Sequence, residues 1–160
     1  MPGLWRKEKK MKYKILKITE DKLIDLIQLE SEADDEGFNF VSRMIYEYLS
    51  GDNSFSKEGE ILFGAYARQR CLGICGLNTD PYTDEPGIGR VRHLFVSEHF
   101  RNKGIGRKLV EKVIKNAKLH YRILRLKATP GADGFYKALG FMELHGEHES
   151  HRMILTEDNG

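Results

Sequence analysis

The stretch RNKGIGRKL, residues 101–109, sets two glycines two apart in a basic run, where a strand-like pattern hands over to a helical one. The first amides of a helix lack internal partners and the helix dipole is positive there, so such a turn suits an anion. Gly104 and Gly106 omit side chains that would block close approach, and Arg101, Lys103, Arg107 and Lys108 surround them with charge. Several N–H donors in one turn fit a diphosphate better than a lone carboxylate. Two common phosphate-binding patterns fail. Leu109 stands where G-x-G-x-x-G requires its third glycine, and neither Lys-Ser nor Lys-Thr closes the turn. By itself the run reads equally well as an exposed, glycine-rich helix start.

Other reactive side chains are placed where chemistry could use them. His93 lies in the strand-like segment RVRHLFVS, and an ordinary pKa near ~6.5 suits proton transfer, although a strand histidine also serves as a structural hydrogen bonder. Strict alternation puts it on the face of Val91 and Phe95, opposite Leu94 and Val96. Arg90 and Arg92 flank it, an unusual polarity for a core strand. The turn EADDEG gathers Glu32, Asp34, Asp35 and Glu36, which suits a cationic ligand, a proton relay or plain solvation. His145, His148 and His151 recur at a spacing of three, but HGEHESH reads as a surface hairpin turn that would not gather three imidazoles, so no metal is expected. Cys71 and Cys75, four apart on one strand face, read as free packing thiols in a reducing cytoplasm. Phe38, Phe40, Tyr46 and Tyr48 suit core or cleft lining.

The elements that must hold these residues follow from periodicity. YKILKIT is a strand. EDKLIDLIQLESEA is a helix with Leu23, Ile24, Ile27 and Leu29 on its stripe, and FNFVSRMIYEYLSG is a second helix closed by Gly51. EILFGAYAR and QRCLGICGLN form a hairpin, TDPYTDEPGIG is a turn-rich link, and RVRHLFVS is the fourth strand. From Gly104 to Lys118 the apolar period is near 3.6, which predicts a helix. YRILRLKAT, the short helix GADGFYKALG and a hairpin of FMELHG with SHRMILT complete the chain. The order β-α-α-β-β-β-α-β-α-β-β predicts an α+β fold, a mixed and mostly antiparallel sheet with one parallel β-α-β crossover and helices on both faces.

A chain of 160 residues, 40% hydrophobic and 31% charged, suits one globular domain over residues 12–157 after a flexible basic tail over 1–11. Its net charge of +2 implies no nucleic-acid surface. No apolar run nears the ~18 residues a membrane span needs, and MPGLWRKEKKMK lacks a signal's apolar region, so a cytoplasmic location is expected.

R-N-K-G-I-G fits the signature R/Q-x-x-G-x-G/A, and A-D-G-F-Y-K-A-L-G-F at 132–141 fits A-x-x-x-Y-x-x-L-G-F. Both motifs, in order on a strand–helix–strand–helix frame, resemble the GNAT superfamily of N-acetyltransferases, over about Tyr13 to Thr156. The segments GDNSF, GICGLNTDPY and RVRHLFV resemble a bacterial subgroup of small single-domain members. The resemblance implies acetyl-CoA as cosubstrate and an amine of a small molecule, peptide or protein as acceptor. Arg101, Asn102, Lys103, Gly104, Ile105, Gly106 and Arg107 would hold the pyrophosphate through their amides. Leu94, Phe95 and Val96 would pair with the pantetheine arm like an added strand, with the Leu94 amide facing the acetyl carbonyl. Tyr136 matches the tyrosine that protonates the leaving thiolate in many members, and His93 is the candidate base. Thr129 stands where many members carry an Asn that contacts pantetheine, and it replaces only part of that amide's hydrogen bonding. The same fold also serves coenzyme-binding sensors without turnover, which is the alternative reading. Longer acyl donors and a homodimer stay open.

Overall fold

The computed structural model describes residues 11–156, so the expected basic tail, apart from Met11, lies outside the described residues. Among the described residues, seven strands form one sheet. They are β1 (Lys14–Lys17), β2 (Ile61–Ala67), β3 (Arg70–Thr79), β4 (Ile88–Val96), β5 (Ile123–Leu126), β6 (Met142–Glu143) and β7 (His151–Ile154), arranged β1-β2-β3-β4-β5-β7-β6. The helices are α1 (Ile27–Asp35), α2 (Phe40–Ser50), α3 (Ile105–Ala117) and α4 (Asp133–Ala138). Every pairing is antiparallel except β4 with β5, which α3 joins as a parallel crossover. The expected mixed α+β architecture is what the chain adopts. No helix among the described residues is long and apolar enough to cross a membrane.

Two apolar layers cover the sheet. On one side Leu72, Leu77 and Leu124 meet Ile105, Leu109, Val110 and Val113 of α3, all buried. On the other, Leu62, Ile74 and Phe95 meet Leu29 of α1 with Val41 and Met44 of α2. Each such side chain contributes about 1.5–3 kcal/mol by leaving water. The stripe expected for the first helix is different in the structure. Leu23, Leu26 and Leu29 are buried, whereas Ile24 and Ile27 are 70% and 58% exposed. The chain enters α1 through a 3-10 turn, Glu20–Leu26, and a three-residue turn buries every third residue.

Two register shifts also break strict alternation. One lies between β2 and β3, and it puts Cys71 and Cys75 into opposite layers, both buried and free rather than on one face. The other is in β4. Ile74 pairs with Phe95 and Gly76 with Arg92, so β4 fits one extra residue there, and His93 takes a left-handed φ of 59°. Val91 therefore packs in the α3 layer while Phe95 packs in the α1–α2 layer. His93 does not share a face with Val91. Its ring stacks on Phe40 at 6.1 Å and meets Phe55 edge-on at 6.3 Å.

The parallel pair is short. Ile88, Gly89 and Arg90 pair with Ile123, Leu124 and Arg125, and β4 then runs on to Val96 without a β5 neighbour. A buried ion network closes the joined end. The Asp80 side chain is fully buried and lies between Arg90 of β4, at 3.3 Å, and Arg125 of β5, with the Tyr82 amide donating to it at 2.7 Å. Arg125 also reaches Glu149, which binds Arg152. Burial alone would raise the Asp80 carboxyl, but these donors and charges hold it below the usual range.

Candidate active site

Where β4 ends, the chain makes a 3-10 turn at Glu98–Phe100 and then the glycine turn that starts α3. Asn102 and Gly104 both have left-handed φ, 61° and 85°. Among the described residues, the turn's backbone bonds begin with Arg101 N–H to Glu98 and resume with Lys108 N–H to Gly104. The amides of Asn102 to Arg107 stay unoccupied between them. A side chain on Gly104 would meet nothing within 4 Å, so what requires glycine is φ, and the surface it leaves bare faces open space. A Cβ on Gly106 would sit at 3.6 Å from Val96 and 3.8 Å from Phe135, an ordinary contact.

The basic side chains divide. The Arg101 Nε donates to the Val96 carbonyl at 2.8 Å, and its terminal nitrogens donate to the Glu36 carboxylate at 2.7 and 2.6 Å. Its guanidinium also lies 5.2 Å over the Phe95 ring. The charge of Arg101 is thus spent within the protein, contrary to the free cation read from the sequence, and it holds Glu36 below the usual carboxylate range. Arg107 pairs with Glu111 at 2.8 Å. The acidic turn is largely consumed as well: Ser97 donates to Glu32 at 2.8 Å and Ser42 to Asp34 at 3.2 Å. The Ser97 and Arg101 bonds fasten the end of α1 to the end of β4, and the Ser42 bond joins α1 to α2.

The splay between β4 and β5 opens two cavities. One, of about 860 Å³, is lined by Val96, Arg101, Asn102, Gly104, Gly106 and Arg107 on the turn side and by Thr129 to Ala132 on the other. The second, of about 260 Å³, is walled by Tyr82, Arg92, His93, Lys127 and Tyr136. Phe40, Leu94, Thr129, Ala132 and Phe135 line both, so the cavities meet at Leu94. Phe95 faces the first from the far layer. Lys103 and Ile105 do not line either cavity, and Ile105 is 1% exposed, so only their amides remain available there.

Tyr136 is 6% exposed, held edge-on by Phe135 at 5.0 Å and Phe141 at 5.6 Å. Burial raises its pKa, so the phenol keeps its proton throughout the neutral range. The short α4 is anchored by a residue the sequence reading placed in a surface turn. His151 lies in β7, is 2% exposed, and its Nε2 is 2.7 Å from Asp133 Oδ1 in the first turn of α4. Its Nδ1 meets Ser150 Oγ at 2.8 Å, and that oxygen accepts the Ala128 amide. His148 instead stacks on Tyr82 at 4.5 Å, so the three histidines do not converge. Gly131, with φ of 89°, lies in the turn before α4 rather than inside it. No group of three or more metal-ligating side chains occurs among the described residues.

His93 is half-buried, with Nε2 shut from solvent and without a partner among the described residues. Burial, then the Arg92 and Arg43 charges, push its pKa down to about 3. It is neutral at pH 7 and a weak proton acceptor.

The chain is also similar to known proteins by sequence and by fold. The description "Acetyltransferase (GNAT) domain" matches residues 28–157. A protein of Exiguobacterium sp. 255-15 assigned to the acetyltransferases is 30% identical, with a TM-score of 0.82 over 90% of this chain and 94% of that one. A GNAT-family acetyltransferase of Staphylococcus aureus Mu50 superposes with a TM-score of 0.71 at 19% identity, over 91% of this chain and all of the other. The PaiA N-acetyltransferase of Thermoplasma acidophilum, solved with coenzyme A, gives 0.66 at 20% identity over 90% and 99% of the two chains. With four-fifths of its length matching the domain and a relative of this identity aligned nearly end to end, the chain belongs to the GNAT acetyltransferase family.

Proposed function

We propose that this protein transfers acetyl from acetyl-CoA to a primary amine. The observation that carries the reading is the meeting of the two cavities at Leu94, with the unoccupied amides of residues 102–107 at one end and Tyr136 across the other. The turn supplies main-chain donors to the pyrophosphate. The free edge of β4 from Val91 to Val96 offers its backbone to the pantetheine arm, as a sheet edge does to an added strand. That register brings the thioester to the junction, where the Leu94 amide faces the carbonyl oxygen. A preorganised donor at that oxygen lowers the barrier by about 3–4 kcal/mol in comparable acyl transfers.

The amine enters from the small cavity and attacks as the free base. An unperturbed lysine-type amine titrates near ~10.4, so it must first lose a proton. His93 at pH 7 is too weak a base to drive that loss, and the proton leaves to water through the open side of the cleft. Tyr136 then donates its phenolic proton to the departing thiolate.

Calorimetry with acetyl-CoA tests the donor. Wild type binds; Gly104→Asn, which tolerates left-handed φ but fills the bare surface, binds about tenfold or more weakly while staying folded. Equal affinity in both proteins contradicts the reading.

A further inference from the structure

The cavity on the Tyr136 side is about 260 Å³, below the roughly 300–1,000 Å³ typical of drug-sized ligands, so it suits a small acceptor. Its wall carries Arg92 and Lys127, and no carboxylate among the described residues lines it. Its other cation, Arg90, is spent on Asp80. Arg92 is half-buried beside Phe40 and Tyr82 yet enters no ion pair among the described residues. Arg92 also lines an adjoining groove that carries Glu47, Asp52, Glu60 and Asp80, and among the described residues no ion pair joins it to any of them. Lys127 Nζ meets the carbonyl oxygens of Gly146 and Glu147 at 3.5 and 3.4 Å, long contacts that leave its charge uncompensated. A half-buried arginine without a counter-charge has charge-assisted hydrogen bonds still to make, and an incoming anion accepts them. Of the acidic turn that would have suited a cationic acceptor, Glu32, Asp34 and Glu36 are tied to Ser97, Ser42 and Arg101.

We propose that the acceptor is a small primary amine that also bears an anionic group, a carboxylate or a phosphonate, seated on Arg92 with Lys127 beside it. This rests on the acetyl-transfer reading above. The anion holds the molecule so that its free amine points to the junction at Leu94. The amine nitrogen attacks the thioester carbon, the C–N bond forms and the C–S bond breaks. The nitrogen's proton passes to water, the thiolate takes one from Tyr136, and water returns it to the phenol. The products are the N-acetylated acid and free coenzyme A. Polyamines are repelled by the same two cations.

The test is release of the coenzyme A thiol with matched amines: leucine against isoamylamine, lysine against cadaverine, then aminoethylphosphonate and spermidine. The anionic member of each pair is favoured about tenfold to hundredfold in kcat/KM, and Arg92→Ala removes that preference through KM while Arg92→Lys restores part of it. A stronger response to aminoethylphosphonate than to amino acids supports the anion and identifies it as phosphoryl. Preference for the neutral or polycationic amines, an unchanged ratio in Arg92→Ala, or no turnover of any amine by protein that binds acetyl-CoA overturns the inference. Calorimetry with acetyl-CoA on the same samples separates the two levels. Intact donor binding with these adverse results condemns the acceptor assignment alone, and absent donor binding condemns both.

Discussion

Tyr136→Phe lowers kcat about a hundredfold and leaves the acetyl-CoA dissociation constant within about threefold, since general acid catalysis is worth 10²–10⁴ and the ring itself is retained. The substitution removes one oxygen and keeps the edge-on packing against Phe135 and Phe141. A role confined to anchoring α4 would leave the rate untouched, and a coenzyme-binding module without chemistry would show no turnover in either protein. The pH dependence adds a second readout. Burial raises Tyr136, so it does not deprotonate below its ordinary value near ~10, and His93, at about 3, is already neutral well below pH 6. The log of kcat/KM therefore climbs with pH as the amine loses its proton, without a break near 6.5. A break there that vanishes in His93→Phe would restore His93 as the base.

Asp80→Asn costs about 3–5 kcal/mol of folding stability and lowers Tm on the order of 10 °C. The side chain is fully buried between two guanidiniums, and asparagine keeps its shape while leaving Arg90 without a carboxylate and Arg125 with Glu149 alone. The sign of the pH dependence follows from the folded carboxyl lying below its unfolded value. Its stabilisation is complete above the unfolded pKa near ~3.9 and is lost as pH falls through the lower folded value, so the gap between the proteins is full at pH 7 and narrows in acid. Thermal melts at several pH values measure this. A gap that is small at pH 7, or that widens in acid, contradicts the account. Because Arg90 and Arg125 end the paired part of β4 and β5, the same ions fix where the two strands begin to separate.

The legible features were those written in neighbouring residues. The 3.6 period of α3, the left-handed close of α2 at Gly51 and the hairpin of β2 with β3 are local events, and each is where the pattern put it. The glycine turn was readable for the same reason, since φ, amides and helix start all lie within six residues. Features that depend on distant partners were not. Arg101 meets Glu36 across 65 positions, so nothing near the turn announces that its charge is taken. His151 is hydrogen-bonded to Asp133, 18 positions away, and a spacing of three histidines pointed elsewhere. The extra residue in β4 carries no compositional mark, and it reversed the face assigned to Val91 relative to His93. A faint signal for Arg92 did exist in the polarity of RVRHLFV, and it acquired meaning once Arg90 proved paired and Arg92, among the described residues, did not.

The most direct measurement is an amide-resolved NMR titration of the nitrogen-labelled protein with coenzyme A. Main-chain capture of the doubly charged linkage requires the largest saturable shifts at Asn102 through Arg107, with residues of β1 unmoved. Saturation with those signals unperturbed, or shifts gathered on another surface, would contradict it.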